Sequence, residues 1–549
     1  MQPILRKIFV VCWGPVSINK PLDPIIIMKK LLISLCVGLS LSLSPDTGFA
    51  ATPAQSRLGI NLSGLADWST DYPFVDVFRM SRKWISQSEG AGWGKGPELV
   101  RDANGWITHL ETNCWADTPL LTGSNGHAPA GDYVCLFDGE GEINFQYAKV
   151  ISREPGRIVV RINSETTAPT GGGIFLGLRS TNPTNYVRNI RVIMPGFEKT
   201  YRDQVFSPPF LTRWNEFNTF RFMDWLHTNG SHQREWSDRA TTNDCNYTER
   251  GIPVEVMIDL CNRLKINPWF NIPHLASDDY VRQFAALVQR TLDPRLKAYV
   301  EYSNEVWNSM FEQHRYAEAK GKEMNLGPEA RPWEGAAVFY GLRSQQIFKV
   351  WEDACGSRAR LVRVIAWQAA GGTYWTDGMV LGKNETGKNA DALAIAPYMT
   401  LCIGPGTKPN SDTVADWTVD QVLDYTETNA LPECLEWTRS SKTIADKYGL
   451  RLVCYESGQH LVGVGGGENN EKMTQVFQAA NRHPRMGVLY TKYLDALNKA
   501  GVDLTCLWCS TGKWSKWGSW GLTEYWDETG ATQPKFKAVC DWNQQHVRP

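Results

Sequence analysis

Residues 297–308 read Lys-Ala-Tyr-Val-Glu-Tyr-Ser-Asn-Glu-Val-Trp-Asn, and their reading decides how the rest of the chain is parsed. Tyr299, Val300 and Tyr302 form a short β-rich run that stops abruptly at Ser303, Asn304 and Glu305. Between two helical segments, such a run has the pattern of a buried parallel strand, apolar because both faces are covered. Its carboxyl end then carries an amide and an acid side by side. In a closed parallel α/β barrel that end opens onto the face where chemistry is placed. An acid there can protonate a leaving oxygen while the amide holds a neighbouring hydroxyl, a pairing suited to cleavage of a glycosidic bond.

Working outward from this strand, residues 267–272 form a third strand ending at Pro273-His274, followed by a helix over 278–290. Before it come a second strand at 218–223 with a helix at 251–264, and a first strand at 58–62. Residues 73–85 have apolar side chains at helical spacing. Downstream, helical segments at 309–324 and 334–352 lead to strands at 360–366, 390–396, 450–455 and 502–508, and a helix over 534–544 closes the series. Strand and helix alternating eight times predict an α/β fold, the (β/α)8 TIM barrel.

The alternation is interrupted once. Residues 92–197 are rich in Gly, Thr and short alternating runs, which predict an inserted β-sandwich-like domain. The chain then divides into an upstream extension (1–27), a signal peptide (28–50), a first barrel unit (51–91), the insert (92–197) and the remainder of the barrel (198–549). The insert reads equally as a carbohydrate-binding or substrate-wall module and as a packing element that buttresses the barrel. Residues 463–470 read as a flexible glycine-rich loop.

At Glu301, Asn304 and Glu305 the sequence resembles the fourth barrel strand of the clan A retaining glycoside hydrolases, a cellulase- and β-glucanase-like superfamily. That family ends strand four in Asn-Glu, with the Glu as acid/base, and places a nucleophilic Glu at the end of strand seven. Retention itself requires a second carboxyl roughly 5 Å from the first, supplied by another strand end. Leu452-Val453-Cys454-Tyr455-Glu456-Ser457-Gly458 fits, an apolar strand that breaks into small residues directly after a Glu, three βα units beyond Glu305.

The resemblance thus implies Glu456 as nucleophile and Glu305 as acid/base. It further implies that Asn304 binds a sugar hydroxyl, Arg221 keeps the nucleophile ionised and Tyr398 hydrogen-bonds it. Trp508 becomes a floor for the sugar and His274 a binding residue. Arg221 reads equally as an ion-pair partner of Glu301 inside the barrel. His274, whose flanking motif departs from the commoner members, reads equally as a structural histidine. Glu524 is a weaker acid candidate and Asp224 a possible sugar contact. The mechanism needs no cofactor, and no spacing of His, Cys and acids suggests a metal. The expectation is a secreted or periplasmic retaining glycoside hydrolase that cleaves O-glycosidic bonds of a polysaccharide, foremost a β-glucan, by double displacement. The alternative is a non-catalytic carbohydrate-binding or cell-surface protein on a barrel scaffold.

Composition bounds these readings. A formal charge of −1 and 21% charged residues argue against nucleic acid as a partner. The 23 Trp offer broad apolar faces with a polar handle, useful against sugar rings. Trp508, Trp514, Trp517, Trp520 and Trp526 cluster in one stretch, read as an exposed aromatic loop over the active face, or else as a loop packed on the barrel rim. Met28, Lys29 and Lys30, an apolar run and a small-residue site at Ala50-Ala51 read as an export signal, with an uncleaved anchor as the other reading. An exported chain would allow disulfides, with Cys114–Cys135 and Cys402–Cys434 as candidates among the 13 Cys.

Overall fold

In the computed structural model, which describes residues 56–163, 165 and 173–546, eight parallel strands close into a barrel. They are β1 (Leu58–Asn61), β2 (Thr219–Arg221), β3 (Asn267–Ile272), β4 (Ala298–Tyr302), β5 (Leu361–Ala366), β6 (Ala392–Ile395), β7 (Arg451–Cys454) and β8 (Val502–Leu507). Each pairs with the next in chain order, and β8 returns to β1. The sequence therefore folds as the expected (β/α)8 barrel. Export-signal residues 28–50 and the extension before them lie outside the described residues. Among the described residues no helix is long and apolar enough to cross a membrane.

The strands are largely apolar because both faces are covered, with a few buried polar residues among them. β5, Leu-Val-Arg-Val-Ile-Ala, is buried at every position. Inward-facing Trp269, Tyr299, Val364, Val453, Leu504 and Cys506 fill the barrel axis, while the alternate residues join a larger core beneath the helices. The helix Asp278–Thr291 shows the sequence logic. Ser277 caps it by accepting from the Tyr280 amide, and Tyr280, Val281, Phe284 and Val288 form its buried stripe.

The segment over 73–85 is not the helix its apolar spacing predicts. A single 3-10 turn, Val77–Met80, capped by Asp76, is followed by extended chain. Its side chains are apolar because the segment is enclosed: Phe74 bridges to Phe206, and Asp76 to Ile193. Ile85–Ser88 is already a strand of the inserted β region, ahead of residue 92.

Besides a two-stranded sheet formed by Val100–Arg101 and Ile107–His109, that region contains two four-stranded antiparallel sheets. One runs Ile85–Ser88, Cys114–Leu120, Ile174–Thr181, Gly141–Gln146 in spatial order; the other runs Arg188–Ile193, Gly131–Asp138, Arg157–Ile162, Lys149–Glu154. It is tied to the loops at the carboxyl ends of β1 and β8. Asp67 accepts from Arg82 and from Thr122, Asn125 donates to the Tyr525 hydroxyl, and His127 stacks on Tyr525 at 3.9 Å.

Beyond the barrel, Met399–Ile403 and Gln459–Gly463 form a small parallel pair above β6 and β7. Residues 463–470 are a tight turn rather than a flexible loop. A Cβ on Gly467 would stand 2.2 Å from the Ile403 carbonyl oxygen, so Gly467 serves close backbone approach, whereas Gly465 and Gly466 supply positive φ of 57° and 105°.

Candidate active site

Arg221, the last residue of β2, has no exposed surface and stands at the centre of the carboxyl-end face. Its guanidinium spreads over four partners. Nη1 donates to Glu456 at 2.9 Å and to Asn61 at 3.0 Å; Nη2 donates to Asn304 at 2.7 Å and to Glu301 at 3.1 Å, with Nε on the other Glu301 oxygen. The ring of Tyr455 lies 5.0 Å from the guanidinium carbon. Both sequence readings of Arg221 therefore describe real contacts, because a planar five-donor group can serve two carboxylates at once. Trp269 Nε1 and Asn271 Nδ2 also donate to Glu301, each at 2.8 Å, which anchors it as a paired acid deep in the barrel.

Glu456 lies two residues beyond the end of β7 and is 7% exposed. Its second oxygen accepts from the Tyr398 hydroxyl at 2.9 Å. Burial pushes its carboxyl up, while Arg221 and Tyr398 pull it back toward the ionised form. Among the described residues Glu305 forms no ion pair, and Arg221 is the smallest of the influences on its carboxyl. Glu305 accepts from Tyr455 at 3.2 Å and from Asn308 at 3.0 Å. Burial, then the charge of Glu456, pushes its pKa up to about 8. Two carboxyls thus sit in unlike settings, one held against a guanidinium and a phenol, the other biased to keep its proton. Glu305 also has a left-handed backbone, φ 42°, and Ser303 likewise, φ 58°. The chain turns sharply where β4 ends, at a conformation that is unfavourable for side-chain-bearing residues.

Asn304 is buried and is spent on protein partners, its oxygen on Arg221 and its Nδ2 on Asn229 at 3.1 Å. A cavity of about 210 Å³ opens between the loops after β1, β2 and β8; neither Glu305 nor Glu456 is among its lining residues. Trp68, Asp71, Asp224, Trp508 and Trp520 are among its lining residues. Asp224 accepts from the Gly64 amide at 3.2 Å, and burial, with Glu456 nearby, pushes it up to about 7.

His274 is drawn elsewhere. It packs on Tyr316 at 5.4 Å, and the charges acting on it are Glu312, His232 and Arg234 rather than the two glutamates. Burial lowers its pKa to about 4, so the ring is neutral. Glu524 is occupied by Arg482. The tryptophan-rich stretch is mostly packed: Trp514 is 3% exposed between Arg482 and Lys535, and Trp526 bonds the His127 carbonyl. Trp508 and Trp520 are among the cavity walls.

Neither candidate disulfide forms; all eleven cysteines among the described residues are outside disulfides. Cys434 donates to the Leu431 carbonyl at 3.1 Å within its helix, and Cys402 Sγ lies 2.7 Å from His460 Nδ1. Cys135 is fully buried in its sheet, whereas Cys114 begins a strand of the other sheet and is half-buried.

Several residues of this cluster have no counterpart in the sequence reading. Asn61 ends β1, accepts from Arg221 and donates to the carbonyls of Tyr455 and Leu507, stitching β1 to β7 and β8. Tyr455 receives a bond from Trp307 at 3.3 Å and passes its own proton toward Glu305. The available signal was modest: a polar residue closing an apolar strand, and a tyrosine directly before a strand-end acid.

No family model matches the chain, and no curated protein matches it. Solved structures similar to it include a fungal β-1,4-galactanase, at 11% identity and TM-score 0.31 over 61% of this chain and 92% of that one. The endo-β-1,4-mannanase of Thermotoga petrophila is similar at 10% identity and TM-score 0.33, over 62% of this chain and 73% of its own. A Bacteroidetes-affiliated cellulase linked with a polysaccharide utilization locus is similar at 10% identity and TM-score 0.34, over 62% and 85%. The closed eight-stranded parallel barrel is read from this chain's own strand order.

Proposed function

We propose that the chain is an exported retaining glycoside hydrolase acting on a polysaccharide, with a β-glucan as the substrate to test first. Glu456 attacks the anomeric carbon while Glu305 gives its proton to the leaving oxygen, leaving a glycosyl ester on Glu456. Glu305, now a carboxylate, takes a proton from water, which attacks the same carbon and frees Glu456. One observation carries the reading: Arg221 and Tyr398 both bond Glu456, while Glu305, which forms no ion pair among the described residues, is pushed up to about 8 by burial and by Glu456. That asymmetry favours ionisation at Glu456 over Glu305, the division of roles that a nucleophile and an acid require.

The test is a reducing-sugar assay on a panel of glucan, xylan, mannan and galactan, followed by Glu305→Ala and Glu456→Ala. Each variant is expected to lose at least about 100-fold in rate. Azide should rescue Glu305→Ala on an activated substrate with retained configuration, by intercepting the glycosyl enzyme. In Glu456→Ala it should displace the leaving group directly and give the inverted product. Wild-type inactivity on every polymer, or equal residual activity in both variants, would reject the assignment and favour a non-catalytic carbohydrate-binding protein.

A further inference from the structure

One face of the inserted β region carries groups that its own packing does not use. Along Ile174–Thr181, the side chains of Ile174, Leu176 and Leu178 are buried, so Phe175, Gly177 and Arg179 take the opposite face. The strand register brings Trp115 and Asp117 on one side, and Asn144 on the other, onto that same face. Phe175 is met edge-on by Trp93 at 5.5 Å and Tyr147 at 5.7 Å. Trp93 and Tyr147 are 56% and 64% exposed, so three rings form an open aromatic ridge.

Beside the ridge the face is polar. Arg179 lies over Trp115 at 5.0 Å and donates to Asp117 at 3.2 Å, and Trp115 Nε1 donates to the other Asp117 oxygen at 3.0 Å. Gly177 forms the floor between them. A Cβ there would come within 2.5 Å of Asn144 Oδ1 and 2.7 Å of Asp117 Oδ1. Three polar atoms on this face, Gln87 Nε2, Asn144 Oδ1 and Arg179 Nε, have no hydrogen-bond partner. Gln87 is 4% exposed and sits opposite Trp115 in register; its Oε1 accepts from Gly94, fixing the segment that carries Trp93. These three atoms lie beneath the surface, so the groups open to a ligand are the rings of Trp93, Tyr147 and Phe175 and the Trp115–Asp117–Arg179 cluster beside them.

We infer that this face is a non-catalytic binding site for a neutral polysaccharide chain. A sugar polymer presents C–H faces to aromatic rings and hydroxyl edges to amides and charged pairs, the two kinds of group arrayed here. Asp117 and Arg179 neutralise each other, and Glu89 and Glu111 line the adjoining hollow, which disfavours a polyanion. The insert that carries this face is hydrogen-bonded to the loops after β1 and β8. The choice of polymer rests on the hydrolase reading above; the site itself does not.

The test is affinity electrophoresis of the full chain through gels containing β-glucan, xylan, mannan or galactan, with the Trp93→Ala/Tyr147→Ala variant alongside. A neutral polymer is expected to retard the wild-type chain, and loss of two exposed rings should weaken retardation about 10-fold. Thermal melting and hydrolysis of a small aryl glycoside should stay unchanged in the variant. Retardation that depends on Trp93 and Tyr147 in a chain that hydrolyses nothing would uphold this site while removing the enzymatic assignment. Unaltered retardation in the variant, no retardation of the wild type by any polymer, or a dimer that the substitutions split into monomers would each overturn it.

Discussion

Arg221 and Glu456 are joined by a 2.9 Å ion pair in which the arginine is wholly buried and the glutamate nearly so. The same guanidinium holds Glu301 at 3.0 Å, so one cation from β2 serves acids from β4 and β7. Removing one member of a buried ionic cluster leaves the others uncompensated, at a cost of about 3–5 kcal/mol. Arg221→Met is therefore expected to lower stability by that amount in denaturant titrations. Arg221→Met/Glu301→Gln should recover part of the loss by discharging one stranded acid. An unchanged denaturation midpoint in the single variant would contradict the hub role.

Tyr398→Phe separates the second support of Glu456 from the first. The hydroxyl donates to a carboxylate, and such a bond contributes about 1.5–3 kcal/mol. If Glu456 is the nucleophile, kcat/KM should fall about 10- to 100-fold with little change in melting temperature. The comparison is steady-state kinetics of wild type and variant on the best polymer from the panel.

The pH profile reports on Glu305. Its folded pKa, raised to about 8 by burial and by Glu456, keeps the acid form at neutral pH. Activity that needs this proton should fall as pH rises through about 8. The Tyr455 hydroxyl favours the carboxylate form of Glu305 by donating to it, so Tyr455→Phe should move the alkaline limb to higher pH. An alkaline limb that stays put in Tyr455→Phe, measured as kcat/KM against pH, would count against Glu305 as the acid.

The two strand-end glutamates were legible because each closes a buried parallel strand, where an apolar run breaking into an acid stands out against its surroundings. Asn61 was not, since β1 spans only four residues and one polar side chain at its end has many ordinary explanations. The edge strand Ile85–Ser88 was missed for a related reason: it is short, and the apolar spacing before it comes from enclosure rather than from a helix. His274 follows a strand end in sequence, yet its ring turns toward Tyr316, a choice made by packing that strand position does not encode. The cysteine pairs failed because separation along the chain carries no information on which sheet face, or which helix, buries each sulfur.

Gly59 tests how tightly the barrel closes. It sits in β1 between β2 and β8, paired with Thr219 on one side and Cys506 on the other. A Cβ added there would stand 2.5 Å from Cys506 Sγ and 3.0 Å from the Thr219 carbonyl oxygen. The sulfur belongs to a side chain that could be trimmed; the carbonyl belongs to the ladder and cannot move without spreading the strands. Gly59→Ala is expected to destabilise by about 1–3 kcal/mol, as overpacking does. Adding Cys506→Ala should restore some of that by removing the nearer clash, leaving the carbonyl contact as the remainder. The interaction energy from this double-mutant cycle should be favourable, whereas strictly additive losses would mean that the sulfur does not set the limit on β1.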